Sequence, residues 1–143
     1  MTKPLVSHIG IAVADLEQAI SRYRMLTGQN EPLIEEVPDQ KVRVAMFSGN
    51  TKVTSVKESR IELVAATAPD SPIARFIAKR GEGLHHICIY VDDIEEKLSE
   101  LKTAGVRLID KTPRMGAEGR KIAFVHPAGM NGVLIELSEA PKS

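Results

Sequence analysis

The sequence predicts an α+β fold in which two βαβββ modules pair into one curved mixed sheet that encloses a cleft. The first indication is a repeated strand, since residues 8–13 read HIGIAV and residues 86–91 read HICIYV. Each copy is followed by an Asp-hydrophobe-Glu step and by apolar residues at helical spacing. A second repeat closes each half, because the tripeptide IEL occurs at 61–63 and again at 135–137. Two half-sheets that cannot bury their faces alone are expected to pack together.

Each module is predicted to contain a strand, a helix and three further strands. The modules cover residues 4–65 and 83–139, joined by a helix near residues 71–80, within a single domain of residues 1–143. A shift of 78 positions aligns the two copies, and it pairs His8 with His86, Ile9 with Ile87, Ile11 with Ile89, Val13 with Val91, Asp15 with Asp93 and Glu17 with Glu95.

The predicted helices carry start and stop signals. Asp15 and Asp93 stand where an N-cap would be, and Gly28 and Gly105 follow the two helical stretches. Ser71, ahead of a proline, is a plausible cap for the connecting helix. The signals therefore place one helix directly after the first strand of each module.

Composition excludes several classes of function. Acidic and basic residues balance at 19 each, so no net charge attracts nucleic acid or an anionic membrane. No stretch approaches the roughly 20 apolar residues of a membrane span. The single cysteine, Cys88, cannot form an internal disulfide, which favours a reducing compartment. The sequence thus predicts a cytoplasmic protein that binds neither nucleic acid nor membrane.

Strand alternation places the polar residues of both modules on one face. His8 lies opposite the isoleucines of the first strand, and His86 does so in the repeat. Glu62 and Glu136 point away from their aliphatic neighbours in the two IEL segments. The same alternation puts His85 on the other face, which suggests a structural role. Two histidines and two glutamates are therefore expected to converge in the cleft.

A divalent metal ion would compensate two glutamates flanked by core residues, because an unpaired buried carboxylate is costly. Two neutral imidazoles and two carboxylates neutralise such an ion and occupy four positions of an octahedron. Two positions remain for water or substrate oxygens. This donor set suits Co²⁺, Mn²⁺, Ni²⁺ or Zn²⁺. Each residue alone has a simpler explanation, as a hydrogen-bonded core histidine or a solvent-facing glutamate, and the matched set in both halves favours the metal.

Three segments resemble the methylmalonyl-CoA epimerases of the vicinal oxygen chelate, or glyoxalase, superfamily over nearly the whole chain. They read SHIGIAVADLEQAISRY, TAPDSPIARFIAKRGEGLHHICIYVDDI and HPAGMNGVLIEL. The resemblance implies metal ligands at His8, Glu62, His86 and Glu136, with Co²⁺ as the favoured ion. It also implies a homodimer and methylmalonyl-CoA as substrate.

The implied reaction interconverts (2R)- and (2S)-methylmalonyl-CoA through removal and return of the C2 proton. A metal-stabilised enolate would lie between the two steps. We assign Glu136 as one acid/base and Glu62 as the partner on the opposite face, with Gln40 or a metal-bound water as alternatives. Some relatives carry a second catalytic glutamate where this chain has Val44, and Lys41 replaces the glycine of the preceding turn.

A basic loop is expected at the mouth of the cleft. Residues 112–121 read TPRMGAEGRK and supply Arg114, Arg120 and Lys121 together with two glycines. These cations are candidates for contacts with the phosphates of coenzyme A, although basic residues of a loop are more often simply solvated.

Three other functions share this fold. A lactoylglutathione lyase would use a similar four-ligand centre and enediolate chemistry. A metal-free binding module of the drug-sequestering type would keep the fold and lose the ligands. An iron-dependent ring-cleaving dioxygenase uses two histidines and one carboxylate, and Glu62 would occupy a position that it needs open.

Overall fold

A computed structural model describes residues 4–29, 31–48 and 59–141. The first module contains β1 (Val6–Ala12), α1 (Leu16–Thr27), β2 (Leu33–Val37), β3 (Val42–Phe47) and β4 (Arg60–Ala66). The connecting helix is α2 (Pro72–Arg80). The second module contains β5 (Gly83–Val91), α3 (Ile94–Thr103), β6 (Arg114–Met115), β7 (Lys121–Val125) and β8 (Ile135–Glu139).

These strands form one mixed sheet in the order β2-β3-β4-β1-β5-β8-β7-β6. The first strands of the modules, β1 and β5, pair antiparallel at its centre. Each is flanked on its outer side by the last strand of its own module, which runs parallel to it. The order is therefore symmetric about the β1–β5 pair, and the predicted fold class is confirmed.

Helices α1 and α3 cover one face of the sheet. Their caps are equivalent, since the Asp15 carboxylate accepts from the backbone N–H of Gln18 and that of Asp93 accepts from Glu96. Ile20 of α1 is buried in a cluster with Leu63, and in the repeat Leu98 of α3 is buried with residues of β7 and β8. With both helices on one face, the other face is left free to form the cleft.

Helix α2 lies over the cleft side instead. The Ser71 hydroxyl accepts from the backbone N–H of Ile73 and caps the helix. Ile73 is buried in a cluster with Val44 and Val64, whose side chains line the cleft. The longest of the three described helices has 12 residues, too few to cross a bilayer.

Candidate metal centre

Four side chains from the four central strands meet on the concave side of the sheet. They are His8 on β1, Glu62 on β4, His86 on β5 and Glu136 on β8, all buried. One potential ligand atom from each lies within 4.8 Å of the other three. The geometry brings together the residues that the duplicated pattern predicted.

Strand register explains how they meet. Gly10 of β1 is paired with Glu62 on one side and with His86 on the other. Cys88 of β5, its equivalent in the repeat, is paired with His8 and with Glu136. The small residue of each module therefore lies between the glutamate of its own module and the histidine of the other. All four side chains meet at one centre.

The distances at this centre fit a common cation. The two Nε2 atoms of His8 and His86 lie 3.2 Å apart. Oε1 of Glu136 lies 3.2 and 3.0 Å from them, and Oε1 of Glu62 lies 3.4 Å from each. With metal–ligand bonds of about 2.1 Å, neighbouring ligands are separated by roughly 3.0 Å in an octahedron and roughly 3.4 Å in a tetrahedron. The donor set and its spacing thus suit one divalent ion.

Both imidazoles are oriented through their second nitrogen. Nδ1 of His8 lies 3.1 Å from the Ser7 hydroxyl, and Nδ1 of His86 lies 2.9 Å from Nδ1 of His85. A metal at Nε2 needs the lone pair of that atom, so Nδ1–H of His86 donates to His85. Burial and the neighbouring His86 charge lower the pKa of His85 to about 4, which keeps it a neutral acceptor.

His85 was expected to lie on the opposite face, and the structure shows why simple alternation misled. The β1–β5 register shifts between Gly10 and Ile11, which is a local irregularity of the pairing. His85 consequently contacts His86 and lines the cleft. A bulge of this kind leaves no signal in the hydrophobic pattern.

A buried arginine supports His8. Nη2 of Arg60 donates to the Ser7 hydroxyl over 3.0 Å, and Nη1 pairs with Oε1 of Glu118 at 2.6 Å. Arg60 is 3% exposed, so the Glu118 carboxylate compensates a cation that would be costly alone. Sequence analysis missed Arg60, although it stands two residues before Glu62 and so shares its face of the strand. Its partner Glu118 lies 58 residues away, which no local pattern indicates.

The four groups stabilise one another's charged forms. Burial alone would lower the pKa of both histidines, but the charges and hydrogen bonds of Glu62 and Glu136 outweigh it. The pKa of His86 rises to about 9, and that of His8 also rises well above its ordinary value. Burial opposes ionisation of both carboxylates, yet the two imidazoles lower the pKa of Glu62 to about 2 and that of Glu136 as well. In the metal-free protein two protons therefore take the place of the cation.

We expect the stability of the metal-free protein to peak between about pH 4.5 and 6.5. The raised pKa of His86 stabilises the fold fully below 6.5, and this contribution is lost as the pH rises through about 9. The lowered pKa of Glu62 stabilises it above 4.5, and that is lost as the pH falls through about 2. Thermal unfolding of chelator-treated protein from about pH 2 to about pH 10 measures both losses. A metal-free protein more stable near pH 9.5 than near pH 6 would contradict the assignment.

Gly10 is required by close approach. A Cβ at this position would overlap the imidazole of His86. Gly10→Ala is therefore expected to displace a metal ligand, costing roughly 1–3 kcal/mol of folding stability and lowering metal affinity. Thermal unfolding and a metal titration measure the two effects. Unchanged values for both would mean that His86 is not held as described.

The cleft contains some of the predicted substrate contacts. Gln40, Arg114 and Arg120 line it, and Val44 forms part of an apolar wall. Lys121 does not line this cleft, and its Nζ pairs with Oε1 of Glu95 at 3.1 Å on the exposed surface. Two of the three cations of this loop therefore line the cleft, and the third pairs with a carboxylate outside it.

Comparison with known proteins agrees with this geometry. Residues 7–124 match the glyoxalase/bleomycin resistance protein/dioxygenase superfamily. The ethylmalonyl-CoA/methylmalonyl-CoA epimerase of Cereibacter sphaeroides is 36% identical over 136 residues, which is 94% of this chain and 96% of that protein. The chain belongs to this epimerase family.

Two further relatives are similar to the chain over nearly its whole length. An uncharacterized Bacillus subtilis protein, YqjC, is 43% identical over 134 residues, or 94% of this chain and 91% of that protein. A variant of Streptomyces coelicolor methylmalonyl-CoA epimerase, solved with 2-nitronate-propionyl-CoA, superposes with a TM-score of 0.88 at 34% identity. That match covers 96% of this chain and 95% of the solved one.

Proposed function

We propose that the protein is a metal-dependent epimerase that interconverts (2R)- and (2S)-methylmalonyl-CoA. The observation that carries the proposal is the buried group of two histidines and two glutamates at the centre of the cleft. Support comes also from a relative of nearly the same length that is named as an ethylmalonyl-CoA/methylmalonyl-CoA epimerase.

The four buried side chains would hold one divalent ion between the modules. When bound, it would supply a Lewis acid that stabilises negative charge on the thioester oxygen of the substrate. Ser7 and His85 orient the imidazoles of His8 and His86 in this site. Burial of all four ligands excludes water, which strengthens their electrostatic interactions.

The two glutamates are suited to proton transfer on opposite sides of a bound substrate. Glu62 lies on the strand next to β1, and Glu136 lies on the strand next to β5. The symmetric sheet therefore brings these carboxylates to the centre from its two halves. Burial opposes ionisation, but the two imidazoles lower the pKa of both carboxylates in the metal-free protein, which suits their role as anionic ligands. In one direction Glu136 would take the C2 proton from one face while Glu62, in its protonated form, would give one to the other face. Exchange of both groups with solvent would then restore the starting forms.

The apolar residues of the cleft wall and the basic residues of its rim have different roles in the proposed reaction. Val44 and its apolar neighbours cannot carry a proton, which leaves Glu62 as the favoured partner of Glu136. Arg114 and Arg120 offer guanidinium groups to the anionic substrate.

Deuterium exchange tests the proposal. In D₂O, (2R)-methylmalonyl-CoA is expected to gain deuterium at C2 and to appear as the 2S epimer. Exhaustive removal of metal is expected to abolish exchange, and one equivalent of Co²⁺ or Mn²⁺ to restore it. Exchange that persists after stripping would defeat the mechanism.

The same protein separates the rival functions. Turnover of methylglyoxal with glutathione would favour a lactoylglutathione lyase. A purified protein that resists metal reconstitution would favour a metal-free binding module. The four intact ligands make the second result unexpected. The DSPIA and HPAGMNGVLIEL segments favour the epimerase over the lyase.

Two expectations from the resemblance belong to the proposal. Cobalt is the favoured native ion, which elemental analysis of protein purified without added metal tests. A homodimer is the favoured assembly, which sedimentation equilibrium tests.

A further inference from the structure

The two edges of the sheet are joined across the cleft. Strand β2 of the first module and β6 of the second lie at opposite ends of the strand order. A short turn, Ala117–Gly119, follows β6 and lies against β2. There the backbone N–H of Glu118 donates to the two carboxylate oxygens of Glu35, over 3.0 and 3.2 Å. The turn therefore closes the cleft by joining the second module to the edge of the first.

The side chain of Glu118 reaches from this turn to the interior of the first module. Its Oε1 lies 2.6 Å from Nη1 of Arg60. Nη2 of Arg60 donates to the Ser7 hydroxyl over 3.0 Å, and that oxygen lies 3.1 Å from Nδ1 of His8. Three successive contacts thus lead from the turn to an imidazole of the metal centre.

The hydrogen-bond roles in this series fit a metal ion at His8. A guanidinium can only donate, so the Ser7 oxygen accepts from Arg60. A metal ion at Nε2 of His8 requires the ring proton on Nδ1, which then donates to the same oxygen. A hydroxyl oxygen has two lone pairs and can accept both hydrogen bonds. Arg60 therefore fixes the position of the acceptor that orients His8.

The turn is held in a conformation that residues other than glycine rarely adopt. Glu118 has φ 61° and ψ 22°, in the left-handed region. Such a conformation costs free energy and persists only where the surrounding contacts maintain it. Glu35 holds the backbone of this residue and Arg60 holds its side chain. Strain of this kind is typical of functional sites.

Withdrawal of Glu118 would leave a buried cation without the carboxylate that pairs with it. Arg60 is 3% exposed, and an uncompensated charge in such a position is strongly destabilising. The guanidinium would move toward water or another acceptor, and its hydrogen bond to Ser7 would be lost. Closure of the turn and orientation of His8 are consequently coupled, and a coupling free energy acts equally in both directions.

We propose that Arg60 is a positioning residue for His8 and that Glu118 holds it in place, so that closure of the cleft raises the affinity of the metal centre. The inference rests on the proposed function for the presence of a metal ion, and it does not depend on the substrate. It assigns control of a ligand in the first module to a residue of the second. By reciprocity, a bound ion should hold the turn closed.

Removal of the Glu118 charge tests the coupling. In Glu118→Gln the metal affinity, measured by competition with a chromophoric chelator, is expected to fall about 10- to 100-fold, as when a supporting partner of a ligand is lost. At saturating Co²⁺ the visible spectrum should also change, because His8 is held in a different orientation. Glu95→Gln is the matched control, since it removes an exposed carboxylate that pairs with Lys121, and it should change affinity less than about twofold. Equal affinities in the two variants would overturn the proposal.

A double-mutant cycle separates this role from a general loss of stability. Ser7→Ala removes the hydroxyl through which Arg60 would act, and it is expected to weaken metal binding by a similar factor. In the Ser7→Ala background, Glu118→Gln should then cause a further loss of less than about twofold. Losses that multiply in the double variant would show that the two residues act independently, which would also overturn the proposal.

Hydrogen exchange of the wild-type protein tests the coupling without any substitution. Saturation with Zn²⁺ is expected to slow exchange of the Glu118 amide by up to about 100-fold, because its hydrogen bond to Glu35 belongs to the closed turn. Unchanged exchange on metal binding would refute the coupling. If the affinity and exchange results hold but the protein fails to epimerise methylmalonyl-CoA, the inference stands while the proposed function falls. If a metal-dependent epimerase shows neither effect, only the inference falls.

Discussion

Glu136→Gln is expected to lower metal-dependent exchange of the C2 proton about 10²- to 10⁴-fold, the range typical of a lost general base. The amide is nearly the same size as the carboxylate but cannot accept the proton. Because Glu136 lies 3.0 Å from the His86 nitrogen at the metal centre, the substitution also weakens the site. Rates must therefore be measured with saturating metal, and the bound metal quantified in the same sample.

Glu62→Gln is the matched variant for the opposite module. If Glu62 is the second proton carrier, a single turnover in D₂O will lose inversion more strongly than it loses exchange, since Glu136 can still remove and return the proton on its own face. Full inversion in Glu62→Gln would remove Glu62 as proton carrier and leave it as a ligand. Full activity in a metal-loaded Glu136→Gln protein would refute the assignment of the first base.

His86→Ala is expected to abolish measurable metal binding and with it the activity. The substitution removes one of four ligands and leaves two buried carboxylates with a single imidazole. His85→Ala provides the graded comparison, because it removes only the acceptor for Nδ1 of His86. Loss of such a supporting partner typically costs about 10- to 100-fold in metal affinity.

Metal affinity is measured for both variants by competition with a chromophoric chelator. Folding is checked by circular dichroism, since His86 is buried and its loss could destabilise the sheet. A folded His86→Ala protein with wild-type metal affinity would contradict the ligand assignment. A His85→Ala protein with wild-type affinity would leave the four ligands in place and remove only the supporting role of His85.

The central features could be predicted because they depend on short periods and on a repeat. Alternation in β1 and β5 puts His8 and His86 on the face opposite the isoleucines, and the two IEL segments do the same for Glu62 and Glu136. The duplication then implies that the two pairs face each other. Side-chain direction along a strand has a period of two, so the positions of these four residues in their strands were enough to predict that they share one face.

Features that depend on register or on distant contacts could not be predicted. His85 joins the site because of a shift in the β1–β5 pairing, and that shift follows from packing. Arg60 supports His8 through Ser7 and pairs with Glu118 of the other module, a contact that no local pattern encodes. The position of α2 over the cleft likewise depends on how the helix packs against β1 and β4, whereas only the existence of the helix followed from its capping residues.

The four-ligand metal centre is tested by titrating metal-free protein with Co²⁺, followed by visible absorption and elemental analysis. We expect saturation at one ion per chain, with the spectrum of a site containing nitrogen and oxygen ligands. A single substitution at His8, Glu62, His86 or Glu136 is expected to change this spectrum and to weaken binding. Saturation at another stoichiometry, or a spectrum unaltered by all four substitutions, would contradict the four-ligand centre.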